Sequence, residues 1–106
     1  MNKIEAIIRP ERIGLVTEGL AEAGFLGLNV VHVTGRGVQK GVQHVGRGGM
    51  NVTIDMLPKT KVELVIKDAD TDSVCNIIMD AARTGNIGDG KIFVSPVTAV
   101  YRVRTD

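Results

Sequence analysis

Hydrophobic and polar residues along this chain change period in a regular order, and the order occurs twice. Ile4, Ala6 and Ile8 alternate with Glu5 and Ile7, which is the period of a strand. Pro10 follows where a helix start tolerates its missing N–H. Ile13, Val16, Leu20 and Ala23 then share one helical stripe, and Gly24 supplies a stop. Gly14 and Gly19 each weaken that helix by roughly 1 kcal/mol against Ala, or else allow close packing. A Val-rich strand over 29–34 completes the first half.

In the second half, Val62, Leu64 and Ile66 alternate with Glu63 and Val65 in a strand over 61–67. Asp70 is placed to cap a helix with the stripe Val74, Ile77, Ile78 and Ala81. Arg83 suits its negative end and Gly85 its stop. A strand over 91–95 closes at Pro96. The order βαββαβ predicts an α+β, ferredoxin-like sandwich: a four-stranded antiparallel sheet with both helices on one face. The other face presents Ile7, Val65 and Phe93, and a second copy of the chain is their simplest cover. Between the halves, 35–57 is rich in glycine, and its tip around Val45-Gly46-Arg47-Gly48-Gly49 has no apolar pattern. So long a loop in so small a domain reads as an arm that orders on a partner, or as a plain hairpin extension.

Composition narrows the class. The 106 residues fit one compact domain, 1–106, with a modest core. No apolar run is long enough for a membrane helix, and the N-terminus lacks a signal-peptide pattern, so a cytoplasmic protein without membrane insertion is expected. A single cysteine, Cys75, excludes an internal disulfide. A net charge of +1 gives no electrostatic reason to expect nucleic-acid binding.

The richest chemistry lies in Thr84-Gly85-Asn86-Ile87-Gly88-Asp89-Gly90-Lys91-Ile92. Glycine amides can close around an anion and the lysine adds charge. Gly85 to Lys91 fits half of a P-loop pattern, but Ile92 replaces the hydroxyl that would ligate Mg²⁺, and the segment runs from helix to strand. It is a phosphate cradle of another kind, or a tight turn. Arg102 and Arg104 fall on one side of an expected edge strand and would add to a positive pocket with Lys91 if the chain end lies near this loop. Gln39, Lys40 and Lys59 stand at the roots of the long loop. Catalysis is not expected: Cys75 reads as inert packing, His32 and His44 lack partners at metal-ligand spacing, and Ser73 and Ser95 lack a base.

These segments, together with Lys3-Ile4-Glu5-Ala6-Ile7-Ile8-Arg9-Pro10, Gly35-Arg36-Gly37-Val38-Gln39-Lys40-Gly41 and Leu57-Pro58-Lys59-Thr60-Lys61-Val62-Glu63, resemble the PII nitrogen regulatory signal-transduction proteins over nearly the whole chain. The resemblance implies a homotrimer that is not an enzyme, binding ATP or ADP between subunits and 2-oxoglutarate through Mg²⁺-ATP. A protruding T-loop, here about 37–56, would contact targets. It implies a phosphate site at Gly88, Asp89, Gly90, Lys91, Arg102 and Arg104, with Ile7, Gly35, Gly37, Val38 and Glu63 around the nucleotide. Gly27, Leu28 and Asn29 would reach the nucleotide of the neighbouring subunit. Gln39 resembles the Mg²⁺ ligand, Lys59 the 2-oxoglutarate partner, and Lys40 and Gly41 close that site. Arg47 resembles the loop-tip arginine that some members insert into an ammonium channel.

Several residues depart from the family pattern. Val38 replaces a phosphate-touching arginine, and Asn51 replaces the tyrosine that is uridylylated in some members, leaving Tyr101 as the sole tyrosine. The chain ends at Asp106 without the usual C-terminal extension over the nucleotide. The loop and Phe93-Val94-Ser95-Pro96-Val97 look more like the nitrogen-fixation branch, which implies nitrogenase as target, with an ammonium transporter or a nitrogen-assimilation enzyme as alternatives; the resemblance also leaves a paralogous PII chain as an alternative partner in the trimer. The βαββαβ order is also that of an RNA-binding module, but the central strands lack stacking aromatics. A phosphotransfer enzyme would need an acidic metal pair that the near-P-loop lacks.

Overall fold

The computed structural model describes residues 1–36, 43–45, 51–53 and 56–105. Strand β1 (Asn2–Ile8) leads through a 3-10 turn (Pro10–Arg12) into α1 (Ile13–Glu22) and then β2 (Asn29–Arg36). Short strands β3 (Gln43–Val45) and β4 (Asn51–Thr53) pair with each other. Strand β5 (Met56–Ile66), a second 3-10 turn (Asp68–Asp70), α2 (Thr71–Ala82) and β6 (Gly90–Pro96) follow. The main sheet has four strands in the order β2-β5-β1-β6, with every neighbouring pair antiparallel. This is the expected ferredoxin-like α+β arrangement.

Strand alternation decides which face is covered. Ile4, Ala6 and Ile8 of β1 and Val62, Leu64 and Ile66 of β5 are buried beneath Val16 and Leu20 of α1 and Val74, Ile78 and Ala82 of α2. A Cβ on Gly19 would come within 3.2 Å of Ile77 Cγ2, so the glycine that weakens α1 locally permits its close approach to α2. On the other face Val65 is 44% and Phe93 52% exposed, and Ile7 is half-buried.

Some element ends differ from the sequence reading. α1 stops before Ala23, which is exposed rather than in the core stripe. Gly24 turns the chain at φ +92, letting the Phe25 amide donate to Leu20 O at 2.8 Å while Phe25 packs on the core instead. Asp70 occupies the N-cap of α2 without a side-chain capping bond, because the preceding 3-10 turn already satisfies the helix entry. α2 ends at Ala82 as Arg83 turns extended, and the positive φ of Gly85 serves the following loop instead of the helix stop. The long connection is shorter than its glycine content implies, since β2 runs through Gly35 to Arg36 and β5 begins at Met56.

The Tyr101–Arg104 region is not an edge strand. The chain leaves β6 with the Val97 amide donating to Met1 O at 2.9 Å, and residues 103–105 form an exposed turn. Alternation there has no neighbouring strand to pair with, so it does not become sheet.

Among the described residues Thr60 is the single buried polar one, and its hydroxyl has no hydrogen-bond partner there. Thr60→Val should therefore be neutral or slightly stabilising in urea unfolding, because it removes an unpaired buried polar group. Leu20→Ala should instead lose about 2–5 kcal/mol.

Candidate functional site

The loop from Thr84 to Gly90 lies at the end of the sheet where β1 finishes, because Gly90 pairs with Ile8. A Cβ on Gly90 would sit 1.8 Å from Ile7 O, so the loop presses backbone on backbone there and only glycine fits. Gly85, Gly88 and Gly90 all hold positive φ, at +88, +99 and +118. Little apolar floor supports the loop, since Ile87 is 60% exposed.

Polar tethers give it shape. The Asp89 carboxylate accepts hydrogen bonds from the Thr84 amide at 2.8 Å, the Gly85 amide at 2.9 Å and the Thr84 hydroxyl. It also pairs with Arg9 Nε at 3.1 Å. Arg9 Nη2 donates to Ile87 O at 2.8 Å, and Lys59 Nζ donates to Gly88 O at 2.7 Å. The Thr84 hydroxyl above all, then the Thr84 and Gly85 amides and Arg9, hold the Asp89 carboxyl well below the ordinary carboxylate range. Asp89 thus spends its oxygens on the loop itself.

The structure brings several expected site residues together and leaves others apart. Ile7 lies in one sheet row between Lys61 and Lys91. Lys59 sits beside β2, where a Cβ on Gly35 would be 3.4 Å from Lys59 Cγ, and it reaches across to Gly88. Ile7, Gly35, Lys59 and Gly88 to Lys91 therefore form one neighbourhood at this end of the sheet. Asn29 and Glu63 are paired further along, and Gly27 and Leu28 precede β2. The six-residue step from Asn29 to Gly35 is about 20 Å of strand, so one small ligand does not span both ends within one chain. Arg102 and Arg104 belong to the exposed tail that departs beside Met1, and among the described residues no hydrogen bond or ion pair ties them to the loop. Gly37, Val38, Gln39, Lys40, Gly41 and Arg47 lie outside the described residues.

Glu63 belongs to an alternating charge lattice on the uncovered face. Lys61 contacts Glu63 at 2.7 Å and Glu5 at 3.6 Å, while Lys3 contacts Glu5 at 3.6 Å and Glu63 at 3.7 Å. The Lys61 hydrogen bond is the main cause holding the Glu63 carboxyl low, and the same bond pushes the Lys61 ammonium up. A cleft of about 330 Å³ opens on the opposite, helical side, between Met79 of α2, Arg83 just beyond it and Gly90 to Ile92 of β6. It shares the loop but none of Ile7, Gly35, Lys59 or Glu63. Among the described residues no group of His, Cys, Asp and Glu could hold a metal. Cys75 is half-buried against the core, and that burial raises its thiol, in keeping with packing rather than reactivity.

Arg9 is the loop-holding residue that sequence reasoning missed. Its place before Pro10 reads as a helix lead-in, and its partners lie 78 and 80 residues away.

A glycine loop at the end of an open ferredoxin-like sheet, beside the roots of a long connection, defines a small α+β module. The family model for nitrogen regulatory protein P-II matches residues 1–106. Nitrogen regulatory protein P-II 2 of Methanothermobacter thermautotrophicus is 50% identical over 105 residues, covering 99% of this chain and 90% of that protein. Nitrogen regulatory protein P-II of Rhizobium meliloti is 50% identical over 105 residues, covering 99% of this chain and 93% of that protein. The Rhodobacter capsulatus protein of the same name is 49% identical over the same shares. The chain belongs to the P-II family of nitrogen regulatory proteins, which are signal transducers rather than enzymes and act through protein–protein contacts. Among the described residues no helix is long and apolar enough to cross a membrane.

Asp89→Asn should lower the urea midpoint of unfolding at neutral pH. The folded carboxyl titrates below its ordinary value near about 4, so its stabilisation is complete above about pH 4 and fades as pH falls further. The gap between variant and wild type should close over that acid range, read by unfolding curves at stepped pH.

Proposed function

We propose that this chain is a cytoplasmic sensor that binds ATP or ADP in clefts between the subunits of a homotrimer. Mg²⁺-ATP recruits 2-oxoglutarate, and the ligands set the conformation of the long connection that contacts a target. The observation that carries this reading is the 2.7 Å bond from Lys59 Nζ to Gly88 O. It physically joins the root of the connection to the glycine loop, so a ligand engaging one biases the other.

Phosphates would lie against the Gly88 to Lys91 segment, whose two glycines carry no side chain to keep an anion from the backbone. Ile7 and Gly35 would lie beside the nucleoside from this chain, and Glu63, level with Asn29, would approach it from the neighbouring subunit's side. Gly27, Leu28, Asn29, Arg102 and Arg104 would serve the neighbouring subunit's cleft; their distance from the loop within one chain favours that division. Gln39, Lys40 and Gly41 are assigned to Mg²⁺ and 2-oxoglutarate on the resemblance alone. A dicarboxylate would meet Lys59, whose ammonium has donors beyond the one given to Gly88. Trimerisation would cover Val65 and Phe93. The target proposed is nitrogenase, on the likeness of 93–97 to the nitrogen-fixation branch; the loop-tip residue Arg47 favours an ammonium transporter as the alternative.

Replacing both Lys91 and Arg104 with Ala should remove most ATP affinity in calorimetry, since charge-assisted contacts are the strong ones. An unchanged titration overturns the pocket. 2-oxoglutarate should bind with Mg²⁺-ATP and not with ADP or alone, and Lys59→Ala should abolish that binding. Equal affinity under all three conditions refutes the coupling. Light scattering should report a trimer at micromolar concentration, and a stable monomer refutes the intersubunit site.

A further inference from the structure

The carbonyls of Ile87 and Gly88 are each taken by a cation from outside the loop: Arg9 Nη2 at 2.8 Å and Lys59 Nζ at 2.7 Å. In a trans peptide the carbonyl of one residue and the N–H of the next point in opposite directions. A cation that fixes the Ile87 carbonyl therefore aims the Gly88 N–H away from itself, and fixing the Gly88 carbonyl does the same for the Asp89 N–H. Among the described residues neither of these amides is engaged in a hydrogen bond. Two successive donors thus stand free, with their orientation set from behind. Successive free amides in a glycine loop are the elements of an anion-binding nest.

Arg9 does this with a geometry that few side chains match. One nitrogen of its planar guanidinium holds Asp89 Oδ1 at 3.1 Å while another holds Ile87 O. Asp89 is in turn bound to the Thr84 and Gly85 amides, so Arg9 fixes both the carbonyl and the staple that closes the loop. Its charge is half-shielded by these partners rather than offered to a ligand.

We propose that Arg9 is a positioning residue for phosphate recognition: it orients the Gly88 and Asp89 amides as donors without itself contacting the ligand, and Lys59 performs the same service from the opposite strand. This rests on the nucleotide reading given above. The signature of such a role is selectivity. Arg9→Ala should weaken ATP by about tenfold or more, the worth of one charge-assisted hydrogen bond, and AMP much less. Arg9→Lys, whose single head group reaches one of the two partners, should fall between.

The test is competition calorimetry of wild type, Arg9→Ala and Arg9→Lys with ATP and AMP, alongside amide spectra of ¹⁵N-labelled protein. Expected is a collapse of the ATP-to-AMP affinity ratio in Arg9→Ala, partial recovery in Arg9→Lys, and loss of the ATP-induced shifts of the Gly88 and Asp89 amides. Equal losses for ATP and AMP, or wild-type ATP binding with unchanged amide shifts, overturn the inference and leave the nucleotide reading standing. If Arg9→Ala does not fold, Arg9→Lys decides: a wild-type ratio overturns the inference and a reduced one supports it. A wild-type protein that binds no ATP removes the nucleotide reading, and this inference falls with it.

Discussion

β1 is hydrogen-bonded along both of its edges, to β5 and to β6, and carries helices on only one of its faces. Its alternate residues therefore meet opposite demands. Ile4, Ala6 and Ile8 are sealed in the core, while Lys3, Glu5 and Ile7 face outward. A slip of one residue would exchange the two sets and bury Lys3 and Glu5. The register so fixed places Ile7 level with Lys61 and Lys91 and brings Gly90 against the end of the strand. The site's geometry is a by-product of core packing at its rear.

Charge along this sheet acts mainly on the protein. Arg9, Lys59 and Asp89 are bound into the glycine loop, and Lys3, Glu5, Lys61 and Glu63 neutralise one another across adjacent strands. Surface pairs of this kind contribute little to stability individually. Their value lies in orientation, because a loop with an exposed Ile87 and few apolar contacts has little else to hold it.

The sheet and helices were legible because each carries a clean period: Val62, Leu64 and Ile66 in β5, and Val74 and Ile78 in α2, fall where alternation and helical spacing put them. Residues whose fate depended on distant partners were not. Ala23 fits the helical stripe but lies beyond the last turn of α1, and the alternation around Arg102 and Arg104 meets no strand to pair with. The glycine loop is visible as composition, whereas the bonds that tie the Asp89 carboxylate to the Thr84 and Gly85 amides are set by the fold of the loop and not by any local pattern. Arg9 was silent in the sequence because nothing local marks a side chain whose partners lie at the far end of the chain.

The double pairing of β1 also governs when this protein can fold during its synthesis. Asn2 is matched to Pro96 and Ile8 to Gly90. Of the described strands, β1 is thus completed by the one that follows it at the greatest distance in the sequence. Until residues 90–96 emerge, one edge of β1 and part of the core remain open. Such pairing between distant parts of a chain slows folding and leaves apolar strand edges available to other molecules. During synthesis, the edge of β1 that β6 will cover stays available for other pairing until residues 90–96 are made.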